Sequence, residues 1–119
     1  MTENHPSSDD KLKVAVFALW SRFQETMFAR LALVERAIEA GIGNSLNDEQ
    51  RGEAGNAAHK LAGSLGTFGL GEGSKLAAQL EAMLEGASPF GPEEYRRLGE
   101  LAKMLRREIE RGPSPPAGT

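Results

Sequence analysis

Apolar side chains recur along the chain at spacings of three and four, in four blocks separated by glycine, proline and short polar runs. In the first block Val16, Leu19, Trp20, Phe23, Met27, Leu31, Val34 and Ile38 make one stripe, which predicts an amphipathic helix from near Asp10 to Gly41 or Gly43. Residues 1–9 hold Pro6 and several polar side chains, and read as a disordered arm ending in an N-cap from Ser8 or Asp9. A rod of about 30 residues would measure roughly 45 Å, longer than a small domain needs. The first helix is therefore allowed a bend or split near Arg22, although no Gly or Pro marks one.

Asn47 followed by Gln50 forms a capping-box-like start for a second helix from Asp48 to about Phe68, stopped by Gly69. The cluster Gly66, Gly69, Gly71 and Gly73 predicts a tight turn. A shorter third helix follows from Lys75 to Leu84, with Leu76, Leu80, Met83 and Leu84 on one face and Gly86 as its stop. Pro92 suits the first turn of a last helix, striped by Tyr95, Leu98, Leu101, Leu105 and Ile109 and ended by Gly112. Short polar connections between four stripes predict an all-α, antiparallel up-down four-helix bundle over residues 10–111. The run from Gly112 to Thr119 is rich in Pro and Gly, is not expected to pack, and reads as a frayed terminus or a linker.

Composition supports this and narrows the function. The 119 residues, 39% apolar, suffice for one domain with one core, and Val, Ile, Thr and aromatics are too sparse for a sheet. A net charge of −3 with both signs interspersed gives no basic stripe, so nucleic acid is not an expected partner. No apolar run approaches the roughly 20 residues that span a bilayer. The polar N-terminus also lacks the regions of a signal peptide, so a cytoplasmic, membrane-free monomer is expected. With no Cys and only His5 and His59, neither a disulfide nor a zinc centre is expected.

The chemistry concentrates at His59. On a helical wheel Ala54, Ala58, Leu61, Leu65 and Phe68 gather on one side, while Gly52, Gly55, Asn56, Gly63 and Gly66 fall within about 60° of His59 on the other. The imidazole is expected to face water. Four glycines inside a helix cost roughly 3 to 4 kcal/mol relative to alanine, a large share of a typical stability of about 5 to 15 kcal/mol. Lying opposite the apolar stripe, they are expected to have no helix of the same bundle beside them, and to clear space for a partner's surface. An exposed imidazole, substantially neutral at cytosolic pH, can use a ring nitrogen as a nucleophile toward phosphorus. His5, in the arm, has no such setting.

The stretch His59-Lys60-Leu61-Ala62-Gly63-Ser64-Leu65-Gly66-Thr67-Phe68-Gly69 resembles the motif of histidine phosphotransfer (HPt) domains of bacterial phosphorelays, roughly His-x-Leu-Lys-Gly-Ser-Ser-x-x-apolar-Gly. The resemblance implies a four-helix bundle whose His59 accepts a phosphoryl group on Nε2 from a receiver domain's aspartyl phosphate and passes it to another receiver. It also implies response-regulator receivers, and a hybrid sensor histidine kinase, as partners. It gives the chain no kinase activity or cofactor of its own, with Mg²⁺ coming from the receiver. Partner contacts are expected at Gly52, Gly55, Asn56, Lys60, Ala62, Gly63 and Gly66. One departure is Ala62, where the family usually has a Lys that helps neutralise the phosphoryl group. Lys60 points about 100° away, and Ser64, rotated about 140°, reads as a packing residue at the bundle edge.

Two decoys fail on context. Ala62-Gly63-Ser64-Leu65-Gly66 fits a relaxed nucleophile elbow, but no His follows Ser64. Gly69-Leu70-Gly71-Glu72-Gly73 lacks dinucleotide-loop spacing and a preceding strand. The rival reading is a helical docking module that binds a partner through the glycine face and carries no phosphate.

Overall fold

The computed structural model describes residues 8–86 and 89–114, with side chains from residue 10 onward. It contains α1 (Ser8–Ile42), α2 (Asp48–Thr67), α3 (Gly71–Glu85) and α4 (Pro92–Arg111), with no strand among the described residues. Contacts near the helix ends fix the direction of each. Trp20 in the first half of α1 meets Phe68 at the end of α2, ring centroids 5.2 Å apart. Gly41 near the end of α1 lies against Tyr95 near the start of α4. On α3, Ser74 reaches Ala62 of α2 and Glu81 reaches His59. Neighbouring helices therefore run antiparallel around the ring α1, α2, α3, α4, the expected up-down four-helix bundle.

All four helices contribute to one core: Leu31, Val34 and Ile38 from α1, Ala58, Leu61 and Leu65 from α2, Leu76, Leu80 and Leu84 from α3, and Leu98, Leu101, Leu105 and Ile109 from α4. Each buried Leu or Ile adds about 1.5 to 3 kcal/mol over an exposed one. Asn47 and Gln50 form the anticipated capping box: Gln50 N donates to Asn47 Oδ1 at 2.7 Å, and Asn47 N to Gln50 Oε1 at 3.1 Å. Across the bundle, Arg106 grips Glu35 with two bonds of 2.8 and 2.7 Å, and the Glu35 hydrogen bond raises the guanidinium further above its ordinary pKa.

Several boundaries differ from the sequence reading. α1 is one helix of 35 residues with no split, because nothing between Ser8 and Gly41 breaks a helix. Its length is absorbed by an overhang: no described side chain before Trp20 is buried, and Leu12, Leu19 and Phe23 are exposed. Ser8 and Asp9 lie inside the helix rather than capping it, while residues 1–7 of the proposed arm lie outside the described residues. α3 begins four residues early, at Gly71. The turn is confined to Phe68–Leu70, where Gly69 takes φ +80°, a conformation disfavoured for residues with a Cβ. Gly73 instead lets α3 settle on Leu65 and Leu105. The tail was also expected not to pack, yet Gly112 is buried with φ +64°, and a Cβ there would lie 2.7 Å from Trp20 Nε1. Residues 115–119 of that tail lie outside the described residues.

Two glycines with opposite surroundings test this packing. A Cβ at Gly41 would overlap the Tyr95 ring, whereas one at Gly99 meets nothing within 4 Å. Gly99→Ala is expected to stabilise by about 0.5 to 1 kcal/mol. Gly41→Ala is expected to destabilise by about 1 to 3 kcal/mol through overpacking. Thermal unfolding followed by far-UV circular dichroism checks both, with melting temperatures moving in opposite directions.

Candidate functional site

α2 places His59 where the sequence predicts, on its water-facing side, with the side chain 69% exposed. Leu61 and Leu65 turn the opposite face into the core and fix the rotation of the helix. His59 lines neither the cleft between the α1 overhang and the α2–α3 turn nor the one around Phe90 and Tyr95. A side chain so placed is reached by a second macromolecule's surface more readily than by a small molecule held in a pocket.

Glu81, which sequence reasoning missed, completes the site. Its Oε2 lies 2.7 Å from His59 Nδ1, and its side chain is only 20% exposed. An ionised carboxylate can only accept, so Nδ1 carries the hydrogen. In the neutral ring the lone pair is then on Nε2, which has no partner among the described residues. Ser74 and Glu81 are seven residues apart on one edge of α3, and that edge meets α2 in antiparallel register. Pairing the polar edge of the third stripe with the second helix was the signal available to find Glu81.

The glycine surface needs correction. α3 packs on the side of α2 that was expected to be empty: Gly55 is buried, and a Cβ there would meet Glu85 Cγ at 3.4 Å and Leu84 Cβ at 3.8 Å. A Cβ at Gly66 would sit 3.4 Å from Ser74 Oγ. Ala62 is half-buried at the same seam, its carbonyl accepting from Ser74 Oγ at 2.7 Å. Gly55 is therefore not a surface for a partner, and Gly66 and Ala62 border α3. The cause is rotation: the seam with α3 begins within about one third of a turn of His59. Gly52 and Gly63 do have open space around them, and Asn56 and Lys60 are exposed. Ser64 sits at the bundle edge as expected, its Oγ accepting from Arg30 Nη1 of α1 at 2.9 Å.

At the far end of the seam, Arg51 Nε donates to Leu84 O at 2.8 Å, and Nη2 donates to Gly86 O. Its guanidinium stacks 3.9 Å from the Phe90 ring centroid. These bonds satisfy carbonyls at the C-terminus of α3 and hold that helix against α2.

Comparison with known proteins agrees with this architecture. Residues 18–110 match the family model described as Hpt domain. The chain is 30% identical over 91 residues to Protein RcaC of Microchaete diplosiphon, an alignment covering 76% of this chain and 14% of the relative. It therefore spans about one seventh of the length of that curated relative. No solved structure matches significantly. Among the described residues, no helix is long and apolar enough to cross a membrane.

The two open glycines are expected to trade stability for access. Gly52→Ala and Gly63→Ala should each raise stability by about 0.5 to 1 kcal/mol, since the added methyl meets nothing. Gly55→Leu should lower the melting temperature by forcing α3 away from α2. Urea or thermal unfolding of the three variants reads both effects.

Proposed function

The chain belongs to the Hpt domain family, whose members are phosphotransfer intermediates of two-component signalling rather than enzymes acting on a substrate of their own, and from that premise we propose that His59 is the relay residue. In this reading His59 Nε2 attacks the phosphorus of a receiver's aspartyl phosphate. The P–O bond to the aspartate breaks, and the phosphoryl group later leaves for a second receiver. The observation that carries the reading is an exposed imidazole with Nδ1 engaged by Glu81 and Nε2 left over. Phosphoryl transfer depends on in-line positioning and charge neutralisation. The bundle contributes position. Mg²⁺ is assigned to the receiver in this reading. Partner contacts are proposed at Gly52, Asn56, Lys60 and Gly63, the exposed members of the expected set that do not border α3.

Ala62 favours a second reading, in which the same face docks a partner and carries no phosphate, because no cation stands three residues after His59. One experiment separates the two. Incubation with a phosphorylated receiver should place an acid-labile, alkali-stable phosphate on the chain, and His59→Gln should abolish it. A complex that forms without label would establish the docking module instead. Gly63→Leu should keep the fold and slow labelling by about tenfold or more, as expected when a reacting geometry is displaced.

A further inference from the structure

We propose that the exposed apolar stripe at the start of α1 is a self-association surface, through which two copies of this chain pair their first helices antiparallel. The inference is independent of the relay reading, and it puts a reversible dimer in place of the monomer expected from the sequence.

The stripe belongs to the overhang. α1 has 35 residues where α2 and α4 have 20 each, so roughly 20 Å of helix, at 1.5 Å per residue, stands beyond the bundle ahead of Trp20. A helical segment that short is marginal in water without tertiary cover. Leu12, Val16, Leu19 and Phe23 follow one another at spacings of four, three and four, the repeat of a coiled-coil seam. Leu12, Leu19 and Phe23 are exposed, and Val16 is half-buried. The core stripe of Trp20, Met27, Leu31 and Ile38 lies about 70° away around the helix and is already covered. Beside the seam, Phe68, Leu70 and Pro113 form the far wall of a cleft that begins at Leu12 and Val16. A second helix laid on the seam has that wall to lie against. The overhang also stands past Phe68, which is about 13 Å beyond His59 along α2, so the surface is separate from the imidazole.

The seam is complementary to itself. In an antiparallel pair with a two-fold axis between Phe17 and Ala18, Leu12 meets the partner's Phe23 and Val16 meets the partner's Leu19, so all four residues of each copy are used. Charge selects this register. Arg22 flanks the seam opposite the partner's Ala15, and Lys13 opposite the partner's Trp20, so no like charges meet. Sliding by one heptad in either direction sets Lys13 against the partner's Lys13, or Arg22 against the partner's Arg22. The same slides leave Leu19 and Phe23, or Leu12 and Val16, without apolar partners. Four apolar layers reach at most the lower bound for a stable complex, about 1,200 Å² in all, so the pair is expected to dissociate on dilution.

Sedimentation velocity of the full chain between about 5 and 500 μM should show the mass rising toward that of two chains, as expected for a micromolar or weaker interface. Leu19→Glu and Phe23→Glu, both at exposed positions and checked for unchanged ellipticity, should each weaken the dimer by about tenfold or more. Register is read by disulfide trapping, since the chain has no cysteine of its own. A mixture of Val16→Cys and Leu19→Cys should cross-link about fivefold or more faster than either variant alone. A wild type that stays monomeric throughout overturns the proposal, as does a Leu19→Glu variant that dimerises like wild type. Val16→Cys cross-linking to itself fastest would show a parallel pair and overturn the arrangement. A monomeric wild type whose labelling by a phosphorylated receiver is slowed by Leu19→Glu would assign the stripe to the receiver instead, leaving the relay reading standing.

Discussion

The close approach of α2 and α3 is the constraint on which the rest of the site depends. Gly55 and Gly66 leave the room, Gly73 lets the start of α3 sit on Leu65 and Leu105, and Ser74 ties the two backbones through the carbonyl of Ala62. Across this seam Glu81 Oε2 lies 2.7 Å from His59 Nδ1. The glycines therefore do two jobs that a wheel drawing merges. Gly55 and Gly66 serve packing between helices, whereas Gly52 and Gly63 leave bare surface. Small residues at a helix contact are costly in propensity. Here the cost is offset by a fixed partner for the imidazole.

Division of labour among the helices follows from this arrangement. α2 carries His59, α3 supplies its hydrogen-bond partner, and α1 and α4 complete the core that fixes the rotation of both. Polar fasteners lie at the margins: the capping box of Asn47 and Gln50, Arg51 over the end of α3, and the Arg106–Glu35 pair between α4 and α1. The last of these is partly exposed, worth on the order of 1 kcal/mol or less, and serves alignment more than stability. Core leucines carry the stability, and the exposed face of α2 is left free of that demand.

Much of this was legible in the residues. Apolar spacing located four helices, Asn47 with Gln50 located the start of α2, Pro92 that of α4, and the position of His59 opposite Leu61 and Leu65 forecast its exposure. What escaped depends on relations between helices. A wheel shows which face of α2 is apolar, but not that α3 lies against its glycine side, so Gly55 was read as surface. Glu81 is one of 17 acidic residues, and nothing local distinguishes it until the register of α3 against α2 is known. Gly71 and Gly73 read as turn because glycine disfavours helix, yet both are helical, and Gly73 packs against Leu65 and Leu105. The tail reads as non-packing because it is rich in Pro and Gly, yet the bare backbone of Gly112 is what Trp20 requires.

That indole has a spectroscopic consequence. Trp20 is the chain's single tryptophan, 5% exposed and enclosed by Phe68 and Gly112 where α1, α2 and the end of α4 converge. Its emission reports on one extremity of the bundle, away from the imidazole, while ellipticity in the far ultraviolet averages over every helix. Agreement between the two signals identifies cooperative collapse of the whole domain, and divergence identifies an end that opens before the rest.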